Sequence, residues 1–195
     1  MFDGNKVTVG SPRPGSHGYW GNFLLTYDNI VKQGLLGGVL SDSWPLLNFS
    51  NKKQSLEVRG TRKLNGKTAY EVEYIPRGTS DLKIVLLFDA ETFQHVRSEY
   101  TRVISAGLGS SSTLATGRTS GADEASARQR PTRYKMTEDF SDFKKEGGLS
   151  LPHSYKVGLE FDTRGGTFVG NWQMTLTDFA FNQPIPPQTF NAEAK

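Results

Sequence analysis

A chain of 195 residues is long enough for one domain with one substantial core, and its lack of cysteine excludes disulfides, thiolate metal sites and a cysteine nucleophile. Hydrophobic residues make up 35% and charged residues 22%, and no stretch reaches the roughly 20 apolar residues that a membrane-crossing helix needs. The net charge of +3 comes from basic residues interleaved with acids, as in Glu57-Val58-Arg59, so it does not form the basic patch expected of a nucleic-acid binder.

Met1-Phe2-Asp3-Gly4-Asn5 lacks the basic end and apolar run of a signal peptide, so the chain as written is expected in the cytoplasm. Residues 6–9 read as a short strand, followed by a loop rich in proline and glycine that carries His17. Phe23, Leu24, Tyr27, Ile30 and Val31 then recur at helical spacing, with Asn22 as a candidate N-cap and Gly34 as the stop. The apolar segment through Trp44-Pro45-Leu46-Leu47 lacks strand alternation and predicts a second short helix or a packed loop. Trp20, Phe23, Tyr27, Trp44 and Phe49 read as core aromatics of this cover, or as the wall of a pocket.

Alternation of period two begins near residue 54. Asn65-Gly66, both tolerant of positive φ, predicts a tight hairpin joining residues 55–64 to 67–76. Arg77-Gly78-Thr79-Ser80 and Asp89-Ala90-Glu91-Thr92 mark the next turns, around a strand that places Leu82, Ile84, Leu86 and Phe88 on one apolar face. His95 shares a nominal phase with Arg97 and Glu99 and reads as a solvated strand position. Residues 106–130, rich in Gly, Ser, Thr and Ala, cannot bury enough surface to offset ordering entropy, which predicts a mobile loop or a lid that orders over a ligand. Three long strands separated by Gly147-Gly148 and Arg164-Gly165-Gly166 complete the pattern.

The expected fold is therefore mainly β: a single domain over residues 1–195 with a curved antiparallel sheet of seven or eight strands, and one or two short helices in its concavity. Glu138 lies between Met136 and Phe140 in the apolar phase. Alternation places its carboxylate inside, where burial would suit it to acid or base work, while a twist or bulge would instead turn it to solvent or an arginine. His153 shares an apolar phase with Tyr155 and Val157 and reads either as a hydrogen-bonded structural histidine or as a site residue; Asp178 is equally ambiguous. Together His153, Glu138 and Asp178 are the candidates for catalysis or for a divalent metal in a hydrolase of hydrophobic esters or phosphoesters. No Gly-x-Ser-x-Gly elbow or phosphate loop accompanies them.

The succession Leu64-Asn65-Gly66-Lys67, Phe88-Asp89 with Glu91-Thr92, Phe140-Ser141-Asp142-Phe143, Gly147-Gly148-Leu149, Leu151-Pro152-His153 and Phe181-Asn182-Gln183-Pro184-Ile185 with Phe190 resembles bacterial outer-membrane lipoprotein-sorting proteins of the LolA/LolB-like superfamily. The resemblance covers about residues 54–190 and implies an incomplete β-barrel whose concave face, covered by helices, carries acyl chains or other lipophilic ligands without chemistry. It also implies a periplasmic or cell-envelope location for a full-length relative, and an N-terminally shortened chain here. Phe23, Tyr27, Trp44, Tyr74, Phe88 and Trp172 are the expected ligand-binding residues. No cofactor is expected, a divalent metal entering only under the hydrolase reading. A first strand left bare by missing neighbours predicts homodimerisation through an exposed sheet edge.

Overall fold

A computed structural model of the chain describes residues 6–10, 18–47, 55–76, 82–104, 132–163, 166–184 and 186. Its strands are β1 (Ser55–Leu64), β2 (Lys67–Ile75), β3 (Lys83–Asp89), β4 (His95–Ile104), β5 (Thr132–Glu146), β6 (Leu149–Thr163) and β7 (Gly166–Thr175). They form one antiparallel meander in the order β1-β2-β3-β4-β5-β6-β7, a curved sheet that does not close. The helices α1 (Gly18–Thr26) and α2 (Asp28–Lys32), followed by a 3-10 turn at Gly38–Leu40, fill the concave side.

The turns follow from residues that accept positive φ. Asn65 at +51° and Gly66 at +84° close the β1-β2 hairpin, and Gly147 and Gly148 close β5-β6. At the β3-β4 turn Asp89 Oδ1 accepts the amides of Glu91 and Thr92 and the Thr92 hydroxyl, so one carboxylate organises the reversal. The expected strand at residues 6–9 reduces to a single bridge at Val7, which is buried. His17, Phe49, Phe190, the turn at 77–80 and the segment 106–130 lie outside the described residues.

The first helix differs from its sequence reading. It begins at Gly18 rather than at Asn22, because Tyr19 and Trp20 pack on aromatic rings of β6 and β7, at 5.0 Å from Phe161, 4.5 Å from Phe168 and 5.5 Å from Trp172. Tertiary packing thereby recruits a glycine-rich turn that propensity disfavours. Asn22 instead offers its carbonyl to the Thr26 hydroxyl within the helix.

The principal core lies between these helices and the inward phase of the sheet. Phe23, Ile30, Leu35, Ile84, Leu86, Tyr100, Met136 and Leu159 are each no more than 3% exposed. Burying each large side chain contributes about 1.5–3 kcal/mol, so this interface dominates the fold.

The expectation of a single apolar face is corrected on β3. Val85 and Leu87, on the opposite phase, join Ala69 in a second buried cluster on the convex side, flanked by Leu64 and Val96. Nearby, Arg62 pairs with Glu99 at 2.8 Å and Arg97 with Asp139 at 2.6 Å.

Gly34 ends the helical hairpin at φ +71°, where a Cβ would lie 2.1 Å from the Ser43 carbonyl oxygen. Both the backbone conformation and the close approach of chain 41–47 require glycine. Gly34→Ala is expected to destabilise the protein by about 3 kcal/mol, through strain plus displacement of the covering segment. A urea-unfolding midpoint equal to that of the wild type would contradict this packing.

Candidate functional site

Glu138 stands in the middle of β5, opposite Ser98 on β4 and Val157 on β6. Alternation carries its side chain into the concavity as the sequence pattern implied, and it is fully buried. Three donors converge on the carboxylate. The Gly37 amide donates to Oε1 at 2.7 Å, the Tyr100 hydroxyl to Oε2 at 2.7 Å, and the Tyr155 hydroxyl to Oε1. Tyr100 also approaches the Leu35 carbonyl at 3.2 Å. Gly37 reaches the carboxylate because its φ of +83° turns the chain just before the 3-10 turn.

Burial raises the Glu138 pKa above the usual carboxylate range, against the opposing hydrogen bonds from Tyr155, Gly37 and Tyr100. The same burial, with the carboxylate alongside, raises both tyrosines. The group is thus a clasp: one carboxylate joins the loop of the cover to three strands of the sheet.

His95 lies beside this clasp, and its burial overturns the solvated reading. It is 4% exposed, surrounded by Trp44 at 5.0 Å, Phe88 at 5.2 Å and Phe140 at 4.9 Å between ring centroids. The reason is a register shift between Leu87 and Phe88, where Leu87 opposes Arg97 and Phe88 opposes His95. The extra residue, Val96, turns to the convex cluster and the phase of the strand inverts. Burial pushes the His95 pKa down to about 3, so the ring is neutral; its Nε2 lies 3.2 Å from the Ser98 hydroxyl. Above the ring, Gly38 has φ +49°, and a Cβ there would come within 2.7 Å of His95 Nδ1 and 2.9 Å of Phe140.

His153, Glu138 and Asp178 do not assemble. His153 is buried four residues along β6 from the partner of Glu138. It sits with Nε2 3.0 Å from Glu146 Oε1 and its ring against the edge of Phe179. Asp178 is exposed and accepts a hydrogen bond from the Thr177 hydroxyl. Among the described residues no group of three His, Asp or Glu side chains is placed to hold a metal ion. Glu138 is meanwhile enclosed by its donors.

A cavity of about 300 Å³ does open at one rim of the concavity, between the helical hairpin and strands β2 to β4. Ile30, Leu35, Leu82 and Ile84 supply its apolar wall, while Asn29, Gln33 and Arg102 supply polar groups. Gln33 accepts the Tyr74 hydroxyl at 3.2 Å, and the Arg102 guanidinium donates to the Tyr27 hydroxyl and lies 5.5 Å from that ring's centroid.

Comparison with family models, with characterised proteins and with solved structures finds no match. The geometry of the chain itself therefore carries the functional reading.

Of the six residues expected to bind ligand, Tyr27 alone lines the cavity. Phe23 and Tyr74 belong to the core, Trp44 and Phe88 surround His95, and Trp172 stands at the β7 rim, 40% exposed. The aromatic set is thus divided among four places. Arg102 was absent from the expected residues, although its phase follows Ser98 and Tyr100 to the inner face. Asn29 and Gln33 lie on the polar side of α2 and its C-terminal end, a face that sequence periodicity assigns to solvent.

Proposed function

We propose that the protein binds a lipid or other hydrophobic small molecule on the concave face of its open sheet, without chemical conversion. The observation that carries this reading is the cavity of about 300 Å³ with an apolar wall and a polar rim. Ligand sites are mostly apolar concavities of about 300–1,000 Å³ with a few placed polar groups. This one has the volume of the smallest of them and four aliphatic wall residues, with more polar than apolar surface exposed in its lining. The sequence resemblance to the LolA/LolB-like superfamily supports the same ligand class, and the helical cover over an unclosed sheet is the arrangement that resemblance implies.

Affinity in such a site comes from removing hydrocarbon from water, at about 0.8 kcal/mol per methylene. A ligand larger than the cavity gains further burial only by displacing α2 and the loop at Gly37. The clasp at Glu138 opposes that movement, so it limits how much of the concave face a ligand can occupy.

The test is a titration with a fluorescent fatty acid. Asn29 is exposed on α2 at the cavity, so Asn29→Trp fills the opening without altering the core. Binding is expected to weaken by about tenfold or more, the equivalent of roughly two methylenes' burial. Equal affinity in the variant and the wild type would remove the cavity from the account. No binding by the wild type would remove the reading itself.

A further inference from the structure

The two edges of the sheet are chemically unlike. β1 carries Glu57, Arg59, Arg62 and Lys63, and its register shifts between Val58 and Gly60. Charged side chains and a bulge are the usual devices that stop an edge strand from pairing with another chain. β7 has neither. Its ten residues, GTFVGNWQMT, contain no charged side chain, and they pair with β6 in unbroken register from Ser154 opposite Thr175 to Thr163 opposite Gly166. Among the described residues, β7 pairs on one side only.

Large apolar groups accompany that open edge. Val169 is 62% exposed, Trp172 40% and Met174 39%, with Tyr19 of α1 close by at 42%. The Phe168 and Trp172 rings both lean over Gly170, where a Cβ would come within 2.9 Å of Phe168 and 2.7 Å of Trp172. The strand therefore has a flat centre at Gly170, with an aromatic residue two positions to either side.

We propose that the occupant of this edge is a second copy of the same chain, paired β7 to β7 in antiparallel fashion about a two-fold axis near Gly170. That register sets Phe168 opposite the partner's Trp172 and joins the two sheets into one. A strand pairing with itself normally brings like charges together somewhere along its length; β7 has none to bring. The symmetric arrangement also closes after two copies, whereas β7 against β1 would leave a free edge at each end and propagate. The charges and bulge of β1 oppose that second pairing. The edge expected from sequence to dimerise was the first strand; the chemistry of the two edges assigns the role to the last.

Sedimentation of the full chain between about 1 and about 100 µM tests this, because a dimer gains population with concentration. The wild type is expected to shift from monomer to dimer. Val169→Lys and, independently, Asn171→Lys place two like charges close together across the axis and are expected to weaken dimerisation by about tenfold or more. Val58→Lys, on the 73% exposed position of β1, is expected to leave it unchanged. Circular dichroism of each variant establishes that it is folded, and two β7 variants guard against one that is not. A wild type that stays monomeric, open-ended polymers, or a dimer lost in Val58→Lys but kept in folded β7 variants would each overturn the proposal.

Discussion

Replacing Glu138 by alanine is expected to cost roughly 4 kcal/mol of stability, whereas replacing it by glutamine is expected to cost about 1 kcal/mol or less. Alanine leaves the Gly37 amide and the Tyr155 hydroxyl buried without an acceptor, and it opens a void among Tyr100, Tyr155 and Ser98. Each orphaned buried donor costs about 1–3 kcal/mol. Glutamine preserves the volume and one oxygen for Gly37 and Tyr155. Its amide nitrogen then faces Tyr100, whose hydroxyl can accept from it and donate to the Leu35 carbonyl already 3.2 Å away. Burial already raises the pKa of the carboxyl, so the neutral isostere loses little. Chemical denaturation of the three proteins checks this. Equal losses in both variants would mean that the charge itself holds the cover down.

The second large effect concerns acid. His95 has its pKa lowered from 6.5 to about 3, so the unfolded chain binds a proton there that the folded chain refuses. Stability from this group is fully present above the unfolded value of about 6.5 and is lost as pH falls towards about 3. Between pH 7 and pH 4 the loss amounts to about 3 kcal/mol. His95→Asn keeps a partner for the Ser98 hydroxyl but has no proton to take up, so its stability should fall less over that interval, by about the same amount. The comparison uses slopes, so any fixed cost of the smaller side chain cancels. Parallel pH profiles for the variant and the wild type would contradict a neutral, buried His95.

Glu138 works in the opposite sense. Its folded pKa is raised, so its contribution is present below the unfolded carboxylate value and declines as pH rises through the raised one. The clasp therefore loses stability as pH rises above the ordinary carboxylate range, while the His95 pocket weakens towards acid. Both hold the same segment, Gly37 and Gly38, against the sheet.

Much of this architecture was legible in the residues. Asn65-Gly66 and Gly147-Gly148 announced two hairpins because few other residues adopt their conformations, and both turns stand where those residues are. For Glu138 the sequence left two readings open, an inward carboxylate by alternation with Met136 and Phe140 or an outward one by twist or bulge. β5 pairs with β4 in unbroken register from Thr132 to Asp139, so alternation holds and the carboxylate is inward. His95 was misread because one inserted residue, Val96, inverts the phase of a strand, and nothing local in the sequence marks that bulge. The start of α1 depended on rings contributed by β6 and β7, more than 130 residues distant in the chain.

The cavity was the least legible feature for a related reason. It is defined by how the helical hairpin seats on β2 to β4, and no single segment contains its wall. Aromatic residues are the lining that the sequence pattern suggests, yet most of them are taken up by the core or by His95. Smaller aliphatic side chains of α2 and β3 remain to face the space, together with Arg102 from the inward phase of β4.

The most direct test of ligand binding on the concave face is a methyl NMR titration of the full chain with a soluble fatty acid. The account predicts saturable shifts at the methyl groups of Ile30, Leu35, Leu82 and Ile84, with smaller changes at Met136 beneath the cover. Shifts confined to Met174 and Val169 at the β7 rim, or none at all, would contradict it.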